Sequence, residues 1–208
     1  MKIGKLCSPG LEAGGRLRRR EGEHLMKTLF IAEKMGYSGS ELAPHWIYRN
    51  YSLLGDAVVA FIGEVNVPLD RMLDVSEAQD QSFIYSPLML SFIIEHFDHD
   101  LSLAIYRQRL FLVCVKEVLE QLDIKVTRRG DNLFVGRDKL SVSIATATTI
   151  STLMHIGLNI ETTGTQVKTC GLRELGVVDI QSFAQNVMLR YSVEMEQIYE
   201  ARCKVRSV

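Results

Sequence analysis

Residues 88–147, LMLSFIIEHFDHDLSLAIYRQRLFLVCVKEVLEQLDIKVTRRGDNLFVGRDKLSVSIATA, decide the fold. Leu88–Phe97 is an apolar run with the length of a buried strand. Asp98 or Asp100 then caps a helix in which Leu101, Ala104, Ile105, Gln108, Leu112, Val115, Leu119 and Leu122 recur at helical spacing with charges between them. Ile124–Thr127 reads as a short strand. Asn132–Gly136 and Lys139–Ala147 read as a hairpin turning at Gly136-Arg137-Asp138. A strand, a long helix and an antiparallel hairpin in succession predict an α+β class.

The flanks extend this pattern. Residues 28–38 read as a strand pair around Lys34-Met35-Gly36, and Pro44 suits the first turn of a short helix within Leu42–Leu54. Ala57–Ile62 is a strand stopped by Gly63, residues 64–82 are polar and loop-like, and Ser86-Pro87 is a break. Downstream, Leu153–Ile160 is an apolar strand and Thr162–Lys168 a loop. Ile180, Phe183, Ala184, Val187, Tyr191, Met195 and Ile198 mark a closing amphipathic helix. The expected fold is a mixed, mainly antiparallel sheet flanked by two long helices, forming one domain over residues 26–208.

Charge divides the 208 residues unevenly. Residues 1–25 hold six basic and three acidic side chains, a balance of +3, while the remainder holds 18 and 22, a balance of −4; the whole chain is −1. The near-neutral total excludes the simplest electrostatic nucleic-acid binder, and the −4 body counts against RNA. Residues 1–25 lack periodicity and carry Pro9, Gly10, Gly14 and Gly15, so they read as a disordered leader. Arg19-Arg20-Glu21-Gly22-Glu23 can be encoded by an unbroken purine run resembling a ribosome-binding sequence. A native start at Met26 is therefore expected, with residues 1–25 a mispredicted leader. No stretch approaches the roughly 20 apolar residues of a membrane span. Cys7, Cys114, Cys170 and Cys203 are scattered, without a Cys-x-x-Cys pair, and no secretory signal precedes the body. We expect a cytoplasmic protein with reduced thiols.

Four clusters carry candidate chemistry. Pro44-His45-Trp46-Ile47-Tyr48-Arg49-Asn50 offers a guanidinium fork (Arg49) and aromatic faces (Trp46, Tyr48) for an anion or nucleotide, or else packs a helix. His96-Phe97-Asp98-His99-Asp100 has metal-ligand types, but it straddles a strand end and a helix start. We assign no metal there and read a solvated junction with a helix cap. Arg128, Arg129, Asp131, Asn132 and the returning Lys139 can surround an anionic ligand, with alternation placing Lys139, Ser141 and Ser143 on one face. His155, Gly157 and Asn159 share a strand face, where Gly157 would let a ligand approach the backbone. No Walker-type loop, Gly-x-Gly-x-x-Gly, Gly-x-Ser-x-Gly or His-Glu-x-x-His occurs.

From Leu42 onward the chain resembles an uncharacterised prokaryotic family, domain of unknown function 366. The resemblance rests on Pro44-His45-Trp46, Ile93-Ile94-Glu95-His96-Phe97-Asp98, Gln108-Arg109-Leu110 and Lys139-Leu140-Ser141-Val142-Ser143-Ile144-Ala145-Thr146. It implies the fold shared by class II aminoacyl-tRNA synthetases and biotin/lipoate protein ligases. Asp131–Leu140 is similar to the ligases' Asn-Asp hairpin, whose returning lysine contacts the acyl-adenylate. The likeness thus implies Lys139 as the residue at a phosphate or acyl carbonyl. Two departures stand out: no Arg- and Gly-rich loop lies between residues 42 and 87, and Val142 stands where the ligases place glycine.

Two readings follow. In one, the protein binds a small molecule or nucleotide in a ligase-like pocket and performs acyl or adenylyl transfer. Lys139 and His155 would be the catalytic groups, and His45, Trp46, Arg49, Arg128, Arg129, Asp131, Asn132, Ser141, Ser143, Gly157 and Asn159 the binding groups. In the other it is a non-catalytic, homodimeric interaction module on the same scaffold. The sequence names no cofactor.

Overall fold

The computed structural model describes residues 26–75, 79, 84–162 and 168–207. The leader reading for residues 1–25 lies outside them, as does most of the loop at 162–168. Among the described residues the elements run in the order β1 (Lys27–Phe30), α1 (Trp46–Tyr51), β2 (Ala57–Val67), β3 (Ile84–His96), α2 (Leu101–Glu120), β4 (Thr127–Arg129), β5 (Asn132–Val135), β6 (Asp138–Lys139), β7 (Ser141–Ala147), β8 (Thr152–Glu161) and α3 (Ile180–Lys204). Five strands form one sheet in the order β1-β2-β3-β8-β7, and β4-β5-β6 form a small second sheet. Only the β1–β2 pair is parallel. The α+β, mainly antiparallel architecture with two long helices is the expected one.

Side-chain alternation divides the large sheet into two faces. Leu90, Phe92 and Ile94 of β3 and Met154, Ile156 and Leu158 of β8 pack against Phe111, Leu112 and Val115 of α2 and Phe183, Val187 and Tyr191 of α3. Asp100 and Asp179 cap these helices by accepting from Leu103 N (3.1 Å) and Ser182 N (2.9 Å). The opposite face, with Ala57, Val59, Phe61, Met89 and Ile93, has no long helix on it. Residues 31–54 cover it, contributing Tyr37 and Ile47 to a second core.

Several boundaries differ from the expected ones for physical reasons. Gly63 does not stop β2 but marks a crossing. A Cβ there would lie 2.0 Å from the Met35 carbonyl oxygen, so only glycine lets residues 35–37 run alongside the strand. The expected second strand of the 28–38 pair is reduced to one parallel bridge, Tyr37 to Val65. Residues 64–67 belong to β2, and β3 begins at Ile84, upstream of Ser86-Pro87. Pro87 is tolerated because the β2 register shifts between Gly63 and Val65, and pairing with β8 starts only at Leu88.

The expected hairpin strand Lys139–Ala147 is two strands in two sheets. Leu140, fully buried, makes the transfer: its N–H donates to Leu133 O in the small sheet (2.8 Å), and its carbonyl accepts from Asn159 N in the large one (3.0 Å).

His96 is not solvated. It is 1% exposed, with Nδ1 2.8 Å from Asp56 Oδ2 and Nε2 2.9 Å from the Tyr191 hydroxyl. Burial acts to raise the Asp56 carboxyl, but the His96 hydrogen bond and charge outweigh it and leave Asp56 below its ordinary value. The neighbouring acids do as a junction requires: Asp98 pairs with Arg107, and Asp100 caps α2.

Candidate functional site

The loop-covered face of β7 and β8 opens into a cavity where the two sheets meet. Tyr37, Val67, Met72, Leu73, Ile84, Val142 and Ile144 supply apolar walls. Arg71, Asp74, Asp131, Asn132, Lys139, Ser143 and His155 supply polar groups. Five sequence-derived candidates therefore converge: Asp131 and Asn132 at the β4–β5 turn, Lys139 at the end of β6, Ser143 on β7 and His155 on β8.

The geometry gives each a distinct character. Tyr37 stacks on His155 with ring centroids 3.8 Å apart and planes 10° from parallel. His155 Nε2 lies 3.2 Å from Ser91 Oγ. Burial pushes the His155 imidazole down to about 3, so the ring is neutral at pH 7. Burial, and secondarily the charge of Glu41, raises the Tyr37 phenol well above its ordinary range. Asn132 Nδ2 donates to Asp131 Oδ1 (2.9 Å), while its own Oδ1 is buried with no partner among the described residues. A buried acceptor in that state costs about 1–3 kcal/mol until a donor reaches it. Lys139 is fixed through its backbone, with N–H to Lys168 O (3.1 Å) and carbonyl from Cys170 N (3.1 Å). Its ammonium forms no ion pair among the described residues.

Other candidates are placed elsewhere. Ser141 and Ser143 do not align with Lys139, because the chain changes sheet at Leu140. Ser141 Oγ accepts from Leu133 N (2.8 Å). Ser143 Oγ accepts from Gln108 Nε2 (2.7 Å) and donates to Asp131 O (2.7 Å). Both tie the β5 turn to the sheet, although Ser143 still borders the cavity. The space over Gly157 is filled by protein: a Cβ there would meet Met89 Sδ at 2.1 Å and Val142 Cγ2 at 3.2 Å. Asn159 Nδ2 reaches back to Lys139 O (3.5 Å). Arg128 and Arg129 are exposed outside the cavity. The Arg128 guanidinium donates to Gly130 O, and Arg129 lies over the Phe134 ring at 5.1 Å.

His45, Trp46 and Arg49 are also apart from it. Trp46, partly buried against the second core, packs edge-on against Tyr51 with centroids 5.5 Å apart. His45 and Arg49 border a different pocket, beside Gly55 and Phe97. Sequence reasoning missed Tyr37, Arg71, Val142 and Ile144 in the cavity. Alternation from His155 could have flagged Val142 and Ile144, which pair with Gly157 and His155. No local signal points to Tyr37. Among the described residues no group of three or more His, Cys, Asp or Glu is placed to hold a metal, and no helix is long and apolar enough to cross a membrane.

The fold and sequence have clear relatives. An uncharacterized protein of Methanocaldococcus jannaschii is 34% identical over 179 residues, 83% of this chain and 81% of its own. A protein of unknown function from Pyrococcus horikoshi superposes with a TM-score of 0.84 at 36% identity, over 88% of this chain and 99% of that one. A T. acidophilum protein described as a lipoate protein ligase, solved with bound lipoic acid, gives 0.55 at 14% identity, over 83% and 86%. Biotin protein ligase from Aquifex aeolicus gives 0.56 at 13%, over 85% and 71%. At these identities the last two show a shared fold only, the lipoate/biotin ligase-like fold. Residues 26–206 match the domain of unknown function 366 (DUF366), and the chain belongs to that family.

Proposed function

We propose that the protein binds a small molecule or nucleotide in the cavity between β7–β8 and residues 37–39 and 67–74, as a step of acyl or adenylyl transfer. The observation that carries this reading is the convergence on one cavity of an ammonium (Lys139) and a buried acceptor (Asn132 Oδ1), each without a partner among the described residues, and a neutral imidazole (His155). The ammonium supplies fixed positive charge where an acyl oxygen or phosphate develops negative charge. Asn132 Oδ1 selects a ligand with a hydrogen-bond donor beside that anion. The neutral ring of His155, held by Tyr37 and Ser91, serves as an uncharged polar wall that orients the ligand. Ligase-like neighbours that hold lipoate support the choice of ligand class.

Size sets a condition. The cavity holds about 50 Å³, against roughly 300–1,000 Å³ for sites that enclose a drug-sized ligand. Loading a ligand of that size therefore requires the cavity walls to open. Thermal shift with lipoate, biotin, AMP and ATP at millimolar concentration tests the reading. A rise in melting temperature with one of them, abolished by Lys139→Ala, is expected; no rise with any of them overturns it.

One observation favours the second reading, a homodimeric interaction module without catalysis: Met89 and Val142 fill the space above Gly157. Light scattering coupled to size exclusion reports the mass. A monomer in solution removes the homodimer.

A further inference from the structure

The His45–Arg49 segment, singled out by its residue types, belongs to neither core nor cavity chemistry. We propose that the pocket it forms with Phe97 is a second, separate binding site for a small carboxylate carried on a planar apolar body.

The pocket is lined by His45, Tyr48, Arg49, Leu54, Gly55 and Phe97 and holds about 430 Å³, within the range of ligand sites. None of these residues borders the β7–β8 cavity. Its walls are apolar side chains left open to solvent: Tyr48 is 45% exposed, Leu54 65% and Phe97 39%. The His45 and Phe97 rings stand 5.4 Å apart with planes tilted 31°, forming an aromatic wall.

The charges around this wall are unbalanced. The Arg49 guanidinium donates to Pro44 O (3.3 Å) and has no carboxylate partner among the described residues. The Lys27 ammonium sits on Leu54 O at the same rim. The nearby acids are already engaged, Asp56 by His96 and the Phe97 N–H, and Asp98 by Arg107. An anion is the complementary occupant, and a carboxylate matches the guanidinium fork.

The wall is also held rigidly. His45 has φ 59°, a left-handed conformation that a residue with a side chain rarely adopts. It is fixed by Glu95, 1% exposed, whose Oε1 accepts from His45 N (2.8 Å) and from Ser151 Oγ (2.7 Å). A buried carboxylate thus holds a strained residue at the pocket mouth, the kind of strain that marks ligand clamps.

Titration of the full chain with 1-naphthoate and with neutral 1-naphthamide, followed by ligand-observed NMR, tests the site. Naphthoate is expected to bind more tightly than the amide. Arg49→Gln should weaken naphthoate about tenfold, the effect of one charged hydrogen bond, and leave the amide unchanged; Phe97→Ala should weaken both. Circular dichroism confirms that each variant is folded. Lys139→Ala should leave naphthoate binding intact; its loss would move the ligand to the β7–β8 cavity and overturn the proposal. Absence of naphthoate binding at millimolar concentration, or an equal effect of Arg49→Gln on both ligands, would do so too. So would a dimeric solution mass that Phe97→Ala returns to the monomer, since this face would then be covered by a second copy of the chain.

Discussion

The β2–β3 ladder runs from Ala57 paired with Glu95 to Val67 paired with Ile84, and a pocket lies near each end. Near Val67 the walls carry Lys139, Asn132 and His155 around about 50 Å³; near Ala57 they carry Arg49 and four large apolar or aromatic side chains around about 430 Å³. One end holds reactive groups in little space, the other holds space with one cation. Both are clamped by a long-range contact, Tyr37 on His155 at the first and His45 on Glu95 at the second. Reactive groups and ligand-sized room are thus separate features of this sheet, and the two clamps can be broken independently.

The largest effect is expected from Gly63→Ala. Its methyl group would displace Met35 and, with it, the segment that carries Tyr37 onto His155. A loss of about 3 kcal/mol, the upper end of overpacking costs, should appear in urea unfolding, with the Arg49 pocket still binding naphthoate. A change below about 1 kcal/mol would mean that residues 35–37 yield easily. At the other end, Glu95→Ala removes the acceptor of both His45 N–H and the Ser151 hydroxyl. It should cost about 2 kcal/mol and abolish naphthoate binding; a response to pH is expected at the other end.

That response belongs to the His155 end. Its folded value is depressed to about 3 from 6.5, so the unfolded chain takes up a proton that the native state refuses. Stability is complete above about pH 6.5 and falls by about 1.4 kcal/mol per unit as pH drops toward 4. Asp56, also depressed, adds its loss only at lower pH, below its unfolded value near 3.8. His155→Gln should flatten the slope between pH 6 and 4 in denaturation series, and an unchanged slope would place its origin elsewhere. The smallest effect is Lys139→Ala, expected to change stability by less than about 0.5 kcal/mol, as for a surface substitution. A larger loss would make Lys139 a structural residue.

The parts of the fold that were legible in the sequence are those set by local periodicity. Both long helices and the Asp100 cap follow from spacing and a single side chain. The change of sheet at Leu140 does not, because Lys139–Ala147 alternates like one strand and no Gly or Pro marks the transfer. That step is why Ser141 meets Leu133 of β5 and Ser143 meets Gln108 of α2 instead of lining up behind Lys139. The candidate site was half legible. Asp131, Asn132, Lys139 and His155 announce themselves by residue type, whereas Tyr37 meets His155 across 117 intervening positions. His96 was misread for the same reason, since its partners Asp56 and Tyr191 lie 40 and 95 residues away.

The Ser192 hydroxyl donates to Met26 O (2.9 Å) across 166 residues, both groups buried, beside the His96–Tyr191 contact. During synthesis the Met26 carbonyl is made 166 residues before the Ser192 hydroxyl that donates to it. At about 5–20 residues per second, that gap lasts on the order of ten seconds. A chain released before Tyr191 and Ser192 would expose the helix-facing side of the sheet and leave His96 without its hydroxyl partner. The two ends of the described chain are thus joined only once the closing helix is in place.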